Sequence, residues 1–104
     1  MSYKRVLSIR SFQDRGTKDV YDGRNTGAAR RSCPREVWPV ARRKLDMLNA
    51  AAADVDLRHP PANHFEKLKG NLAGFCSIRI NSQYRIVFRW EPPDVAEVLI
   101  DDYH

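Results

Sequence analysis

Two short stretches, three residues apart, constrain this chain more than anything else in it. In Phe75-Cys76-Ser77-Ile78-Arg79-Ile80, residues Cys76, Ile78 and Ile80 share one side of a strand; in Tyr84-Arg85-Ile86-Val87-Phe88-Arg89-Trp90, the apolar side is Tyr84, Ile86, Phe88 and Trp90. A two-residue loop at Ser82-Gln83 pairs Ile80 with Arg85 and mixes an arginine into the isoleucines. A three-residue loop at Asn81-Ser82-Gln83 pairs Ile80 with Tyr84 and turns both apolar rows toward one core. Slipping a strand by one residue moves all its side chains to the other face, so the pattern selects the longer loop. That register sets Arg79 opposite Arg85, with Arg89 further along the same side. Like charges directly opposed across a ladder are destabilising. Such a pair is either splayed into solvent or retained because an anion sits between them.

The rest of the chain supplies partners for this hairpin. After Pro92-Pro93-Asp94, Val95 to Tyr103 reads as a final strand, and Arg5 to Arg10 as a short one near the start. From Glu36 to Ala53, Val37, Val40, Ala41, Leu45 and Leu48 recur at three- and four-residue steps, the mark of an amphipathic helix, with Arg42, Arg43 and Asp46 on its other side. Pro39 belongs in the first turn of that helix, where its missing N–H costs little. A shorter helix is expected over Phe12 to Asp22, ended by the turn signal Asp22-Gly23-Arg24-Asn25. Ser32-Cys33-Pro34 reads as a turn and His59-Pro60-Pro61-Ala62-Asn63 as a loop. With no repeat, linker or low-complexity tract, 104 residues make one domain, 1–104, of α+β class.

No apolar run reaches the roughly 18–20 residues of a membrane span, and the first residues lack the apolar core of a signal peptide. Cys33 and Cys76 stand far apart, as expected of reduced thiols in a cytoplasmic protein. Eighteen basic residues against thirteen acidic give a charge of +5, and thirteen of the eighteen are arginine, whose planar fork suits phosphate. A polyanionic partner is implied. A metal site is not: His59 and His64 lie five residues apart in a proline loop, and neither cysteine has a partner at ligand spacing. Glycine-rich phosphate loops and G-x-S-x-G elbows are absent.

Lys67-Leu68-Lys69-Gly70 directly precedes the hairpin, and Asp101-Asp102-Tyr103-His104 ends the strand that follows it. If the fold brings these together, lysine, arginine, tyrosine and histidine meet on one patch. Cleaving RNA through its own 2′-hydroxyl needs a base for that proton, an acid for the departing 5′-oxygen, and cations for the charge gathering on phosphorus oxygens. Histidine titrates close enough to neutrality for either proton role. A carboxylate beside the His104 imidazole would favour its charged form, whereas fraying is the ordinary state of such a position. His59 reads as a surface residue; His64 lies close enough to Lys69 to be a second candidate. Tyr84 and Phe75 are candidates for stacking on an unpaired base, or simply core residues.

Arg42-Arg43-Lys44-Leu45-Asp46-Met47-Leu48-Asn49-Ala50-Ala51, Asp56-Leu57-Arg58, Pro60-Pro61-Ala62-Asn63, Lys67-Leu68-Lys69-Gly70-Asn71, Ser77 through Ile86 and the closing Asp102-Tyr103-His104 together resemble the HigB toxins of the RelE/ParE superfamily. The resemblance covers nearly all of the chain and is densest from Arg42 onward. It implies a RelE-like α+β fold with helices packed on a small, mostly antiparallel sheet. It implies cytoplasmic, ribosome-dependent cleavage of messenger RNA in the 30S decoding site, without metal or other cofactor. A HigA-like helix-turn-helix antitoxin would bind the toxin and connect it to operator DNA. By motif, Lys69 and Arg85 would neutralise the scissile phosphate, while Tyr103 and His104 act on nucleophile and leaving group. Lys67, Arg79, Tyr84 and Arg89 would add RNA contacts, Arg79 on the weaker ground that its position is not uniformly basic in the family. Some relatives carry a catalytic histidine three residues before the L-K-G lysine. Here that position is Glu66, so the role falls to Glu66 as a carboxylate base, passes to His64, or is unfilled. A non-catalytic ParE-like toxin that poisons a protein such as DNA gyrase is the alternative, and a harmless RNA-binding module a third reading.

Overall fold

The computed structural model describes residues 8–103, so the strand expected over Arg5–Arg10 lies largely outside it, and His104 wholly so. Four short helices precede and pack on a four-stranded antiparallel sheet. The helices are α1 (Arg15–Asp22), α2 (Gly27–Ser32), α3 (Trp38–Ala50) and α4 (Asp54–Arg58); the strands are β1 (Glu66–Lys67), β2 (Phe75–Arg79), β3 (Tyr84–Glu91) and β4 (Asp94–Asp102), lying side by side in chain order. This is the α+β, RelE-like arrangement expected from the sequence.

Helix α1 starts later than its apolar residues suggest. The Asp14 side chain accepts the Thr17 N–H and caps the helix, and Gly23, at φ 77°, ends it. Phe12 instead forms a parallel bridge to Val98, as Ile9 does to Val95. The long helix is also shorter than expected. Arg35–Val37 is a separate 3-10 turn, with Pro39 in the first turn of α3 behind it. At the far end, the Asp56 carboxylate accepts the N–H groups of Ala52 and Ala53 at 2.8 and 3.1 Å, which begins a new helix rather than extending the old one.

The hairpin register is the one selected by the apolar rows: Ile78 pairs with Ile86 and Arg79 with Arg85, and the Ile80 N–H reaches the Tyr84 carbonyl at 2.9 Å. Ile78, Ile86 and Phe88 are fully buried with Val95 and Val98 of β4 against Val20, Leu45, Leu48 and Leu57 from the helices. Burial of each such side chain contributes about 1.5–3 kcal/mol. Between Val87 and Arg89 the pairing with β4 shifts, and Glu97 takes φ 52° there. This bulge lets Val95 and Val98, three residues apart, both face the core.

Strand alternation then assigns the other face. Ser77 and Arg79 of β2, Arg85 and Val87 of β3, Leu99 and Asp101 of β4 fall opposite the core rows, and β1 adds Glu66, which pairs with Ser77.

Candidate active site on the face opposite the helices

Six residues line a cleft of about 170 Å³ at one end of this face: His64, Glu66, Ser77, Arg79, Arg85 and Tyr103. The cleft is open to solvent on one side, so a phosphodiester group can reach its floor. Glu66 and His64 enter from the β1 side. Tyr103 enters from the far end of β4, held there by its N–H on the Gln83 carbonyl at 3.1 Å. The two arginines form the floor between them.

Each arginine is anchored on one side. Arg79 donates from Nε to the Tyr103 hydroxyl at 3.1 Å, and that hydroxyl donates to the Asn81 carbonyl at 3.2 Å. Arg85 donates from Nε to Asp101 at 3.1 Å, and its guanidinium carbon lies 5.2 Å from the centre of the Tyr103 ring. Within the protein, Arg85 of the cross-strand pair is balanced by the Asp101 carboxylate and Arg79 is oriented by the Tyr103 phenol. With Nε engaged, each guanidinium still has its terminal NH₂ groups, the geometry that suits an arriving phosphate.

Of the residues considered from sequence, the fold gathers His64, Glu66, Arg79, Arg85 and Tyr103. Lys69 is exposed at the turn leaving β1 and does not line the cleft. Lys67 is directed elsewhere. It neighbours Glu66 on β1, so alternation turns it to the opposite side, where it pairs with Asp54 at 3.0 Å. Arg89 shares the face with the cleft but is bound to Glu97 at 2.8 Å and stacked over Phe75 at 4.6 Å. Tyr84 packs half-buried against the core. Ser77 and Asp101 escaped the sequence reading; their place on alternate positions beside Arg79 and Arg85 is the signal that marks them.

The cysteines offer no competing chemistry. Both are buried and free, and burial pushes each thiol up to about 11, so neither supplies a thiolate near neutrality. Among the described residues no group of three His, Cys, Asp or Glu could hold a metal ion, and no helix is long and apolar enough to cross a membrane.

The sequence profile of a family described as the RelE-like toxin of the type II toxin–antitoxin system HigB matches residues 10–104. The chain belongs to the HigB-like toxin family. This HigB-like toxin is 44% identical over 79 residues to Toxin HigB-1 of Vibrio cholerae serotype O1, a match covering 76% of this chain and 80% of the relative. An uncharacterized protein of Haemophilus influenzae is 40% identical over 70 residues, covering 67% of this chain and 69% of its own. Membership of a toxin–antitoxin family gives the HigB-like toxin an antitoxin as partner.

Proposed function

We propose that this toxin is a ribosome-dependent endoribonuclease that cleaves messenger RNA without a metal. The observation that carries the reading is the cleft itself, with proton-handling groups on opposite sides of two arginines that share a floor. Attack by a 2′-oxygen forms the new O–P bond while the P–O5′ bond breaks, leaving a 2′,3′-cyclic phosphate and a free 5′-hydroxyl. The 2′-proton passes to a base and another proton reaches the departing 5′-oxygen. In-line displacement places base and acid on opposite sides of phosphorus. Glu66 and His64 supply the base from the β1 side; Tyr103, with His104 following it, serves the leaving group from the β4 side. Arg79 and Arg85 neutralise the charge developing on the non-bridging oxygens, and Lys69, which lies outside the cleft, is assigned to the phosphate by the family motif alone. Neither metal nor cofactor enters this scheme.

The basis for placing the reaction in the 30S decoding site in the cytoplasm is the resemblance to HigB toxins, and the basic charge of the chain suits such a polyanionic partner. The antitoxin is taken to be a HigA-like helix-turn-helix protein that carries the toxin to operator DNA. The test is a translation assay with purified protein and ribosome-bound message. Cut message, with cutting abolished in Arg85→Ala and His104→Gln, is expected; intact message on toxin-bound ribosomes refutes the reading. Toxicity that persists in His104→Gln would point instead to a ParE-like poison of a protein target such as DNA gyrase.

A further inference from the structure

One buried polar cluster takes no part in the chemistry above, yet it adjoins the residues that do. Lys44 lies on the inward side of α3, between Ala41 and Leu48 at helical spacing, and is only 7% exposed. A lysine there is costly unless its ammonium finds a partner. Its Nζ donates to the Oδ1 of Asn63, which is fully buried. Asn63 in turn donates from Nδ2 to the carbonyls of Leu57 and His59 at 3.1 and 3.2 Å, and touches the Met47 sulfur at 3.0 Å. One amide thus ties α3, the end of α4 and the proline turn Pro61–Asn63 together, and that turn packs on β2.

The next residue is His64, at φ 46° and ψ 50°. A side chain other than glycine visits this region rarely, and such conformations persist where the surroundings hold them. Here the preceding side chain is locked inside the core and two residues later Glu66 is paired with Ser77. The chain between these fixed points has little choice but to turn His64 into the cleft.

Resting on the cleavage reading, we infer that Lys44 and Asn63 are positioning residues: their buried hydrogen bond sets the path by which His64 and Glu66 reach the scissile phosphate. Burial lowers the affinity of Lys44 for its proton, with the neighbouring Arg43 charge acting the same way, so the bond to Asn63 has a burial cost to offset. The cluster touches neither RNA nor the reacting atoms.

Lys44→Met keeps the apolar stem and removes the donor. It leaves the buried Asn63 oxygen without its donor, so its melting temperature should fall by about 5–15 °C while the chain stays folded at the assay temperature. Its kcat on ribosome-bound message should fall about tenfold to a hundredfold, the scale of a small misplacement of reacting groups, with KM within about twofold because the arginine floor is untouched. In the free protein, the imidazole carbon-bound proton signals of His64, assigned with His64→Gln, should shift or broaden while the Arg79 and Arg85 Nε–H signals hold still. Asn63→Asp is the second variant, since it retains the oxygen facing Lys44 and loses the two N–H donors; it should show the same pattern more weakly. A folded Lys44→Met with parental kcat and an unmoved His64 signal overturns the inference, as does a kcat loss matched by the unfolded fraction in both variants. An inert parent protein would defeat the cleavage reading alone, because the His64 spectra are read without RNA.

Discussion

Trp90→Phe isolates a charged hydrogen bond whose strength should depend on pH in a defined direction. The Trp90 indole N–H donates to Asp54 Oδ1 at 2.6 Å, and Lys67 approaches the other oxygen at 3.0 Å. The indole bond is the leading cause that holds the Asp54 carboxyl below its usual range, and Lys67 follows. A hydrogen bond to a charged group contributes about 1.5–3 kcal/mol, and because the Asp54 side chain is 30% exposed, a discounted figure of about 1–2 kcal/mol applies. A domain of this size loses roughly 4–8 °C of melting temperature per kcal/mol. Because the folded-state pKa is depressed, the contribution is complete above the unfolded-state value and disappears as pH falls through the folded-state value. The gap between parent and Trp90→Phe, followed by circular dichroism, should therefore be widest near neutrality and narrow on acidification, leaving only the packing loss of the smaller ring. Asp54→Asn keeps an acceptor without the charge. In that background Trp90→Phe should cost less, and by the same amount at every pH. A gap independent of pH in the parent background would falsify the argument.

Two further outcomes follow from close contacts elsewhere. A Cβ added at Gly16 would lie 2.1 Å from the Ser32 hydroxyl and 2.5 Å from the Ala28 backbone carbonyl, so Gly16→Ala must push α1 and α2 apart, at a cost of about 1–3 kcal/mol in denaturant unfolding; a variant as stable as the parent contradicts that packing. Asp101→Asn removes the carboxylate that competes with phosphate for Arg85, so binding of a short single-stranded RNA should tighten at low salt and its log–log salt dependence steepen by about 0.7. An unchanged slope would show that Arg85 does not meet the backbone.

What the sequence could reveal follows from how local each determinant is. The hairpin register was legible because two apolar rows had to meet, and with it came the Arg79–Arg85 pair. The helix ends were not, since Asp14 and Asp56 redirect the backbone through side-chain hydrogen bonds that compete with periodicity. Strand β1 has only two residues, too few to display alternation, so Lys67 and Glu66 looked equivalent although they project to opposite faces. Lys44 fell silently among charged neighbours; only its spacing from Ala41 and Leu48 betrays an inward position. His64 could be named as a candidate from its distance to Lys69, but its left-handed backbone, φ 46° and ψ 50°, is something no local pattern announces.

The bridge between Ile9 and Phe12 on one side and Val95 and Val98 on the other has a kinetic consequence. Gln13 and Glu97, joined at 2.9 Å across this seam, are 84 residues apart in the chain, and the logarithmic part of closing such a loop amounts to about 4 kcal/mol. Helices and the β2–β3 hairpin can form before that closure is worthwhile, whereas the outer seam of the sheet cannot. Strand β4, which carries Asp101 and leads into Tyr103, is the strand this seam secures. Its far end is held instead by the local β3–β4 hairpin, with Asp101 opposite Arg85 and the Tyr103 N–H on the Gln83 carbonyl. A chain that has not yet closed the outer seam can therefore already have the arginine floor and the wall beside it.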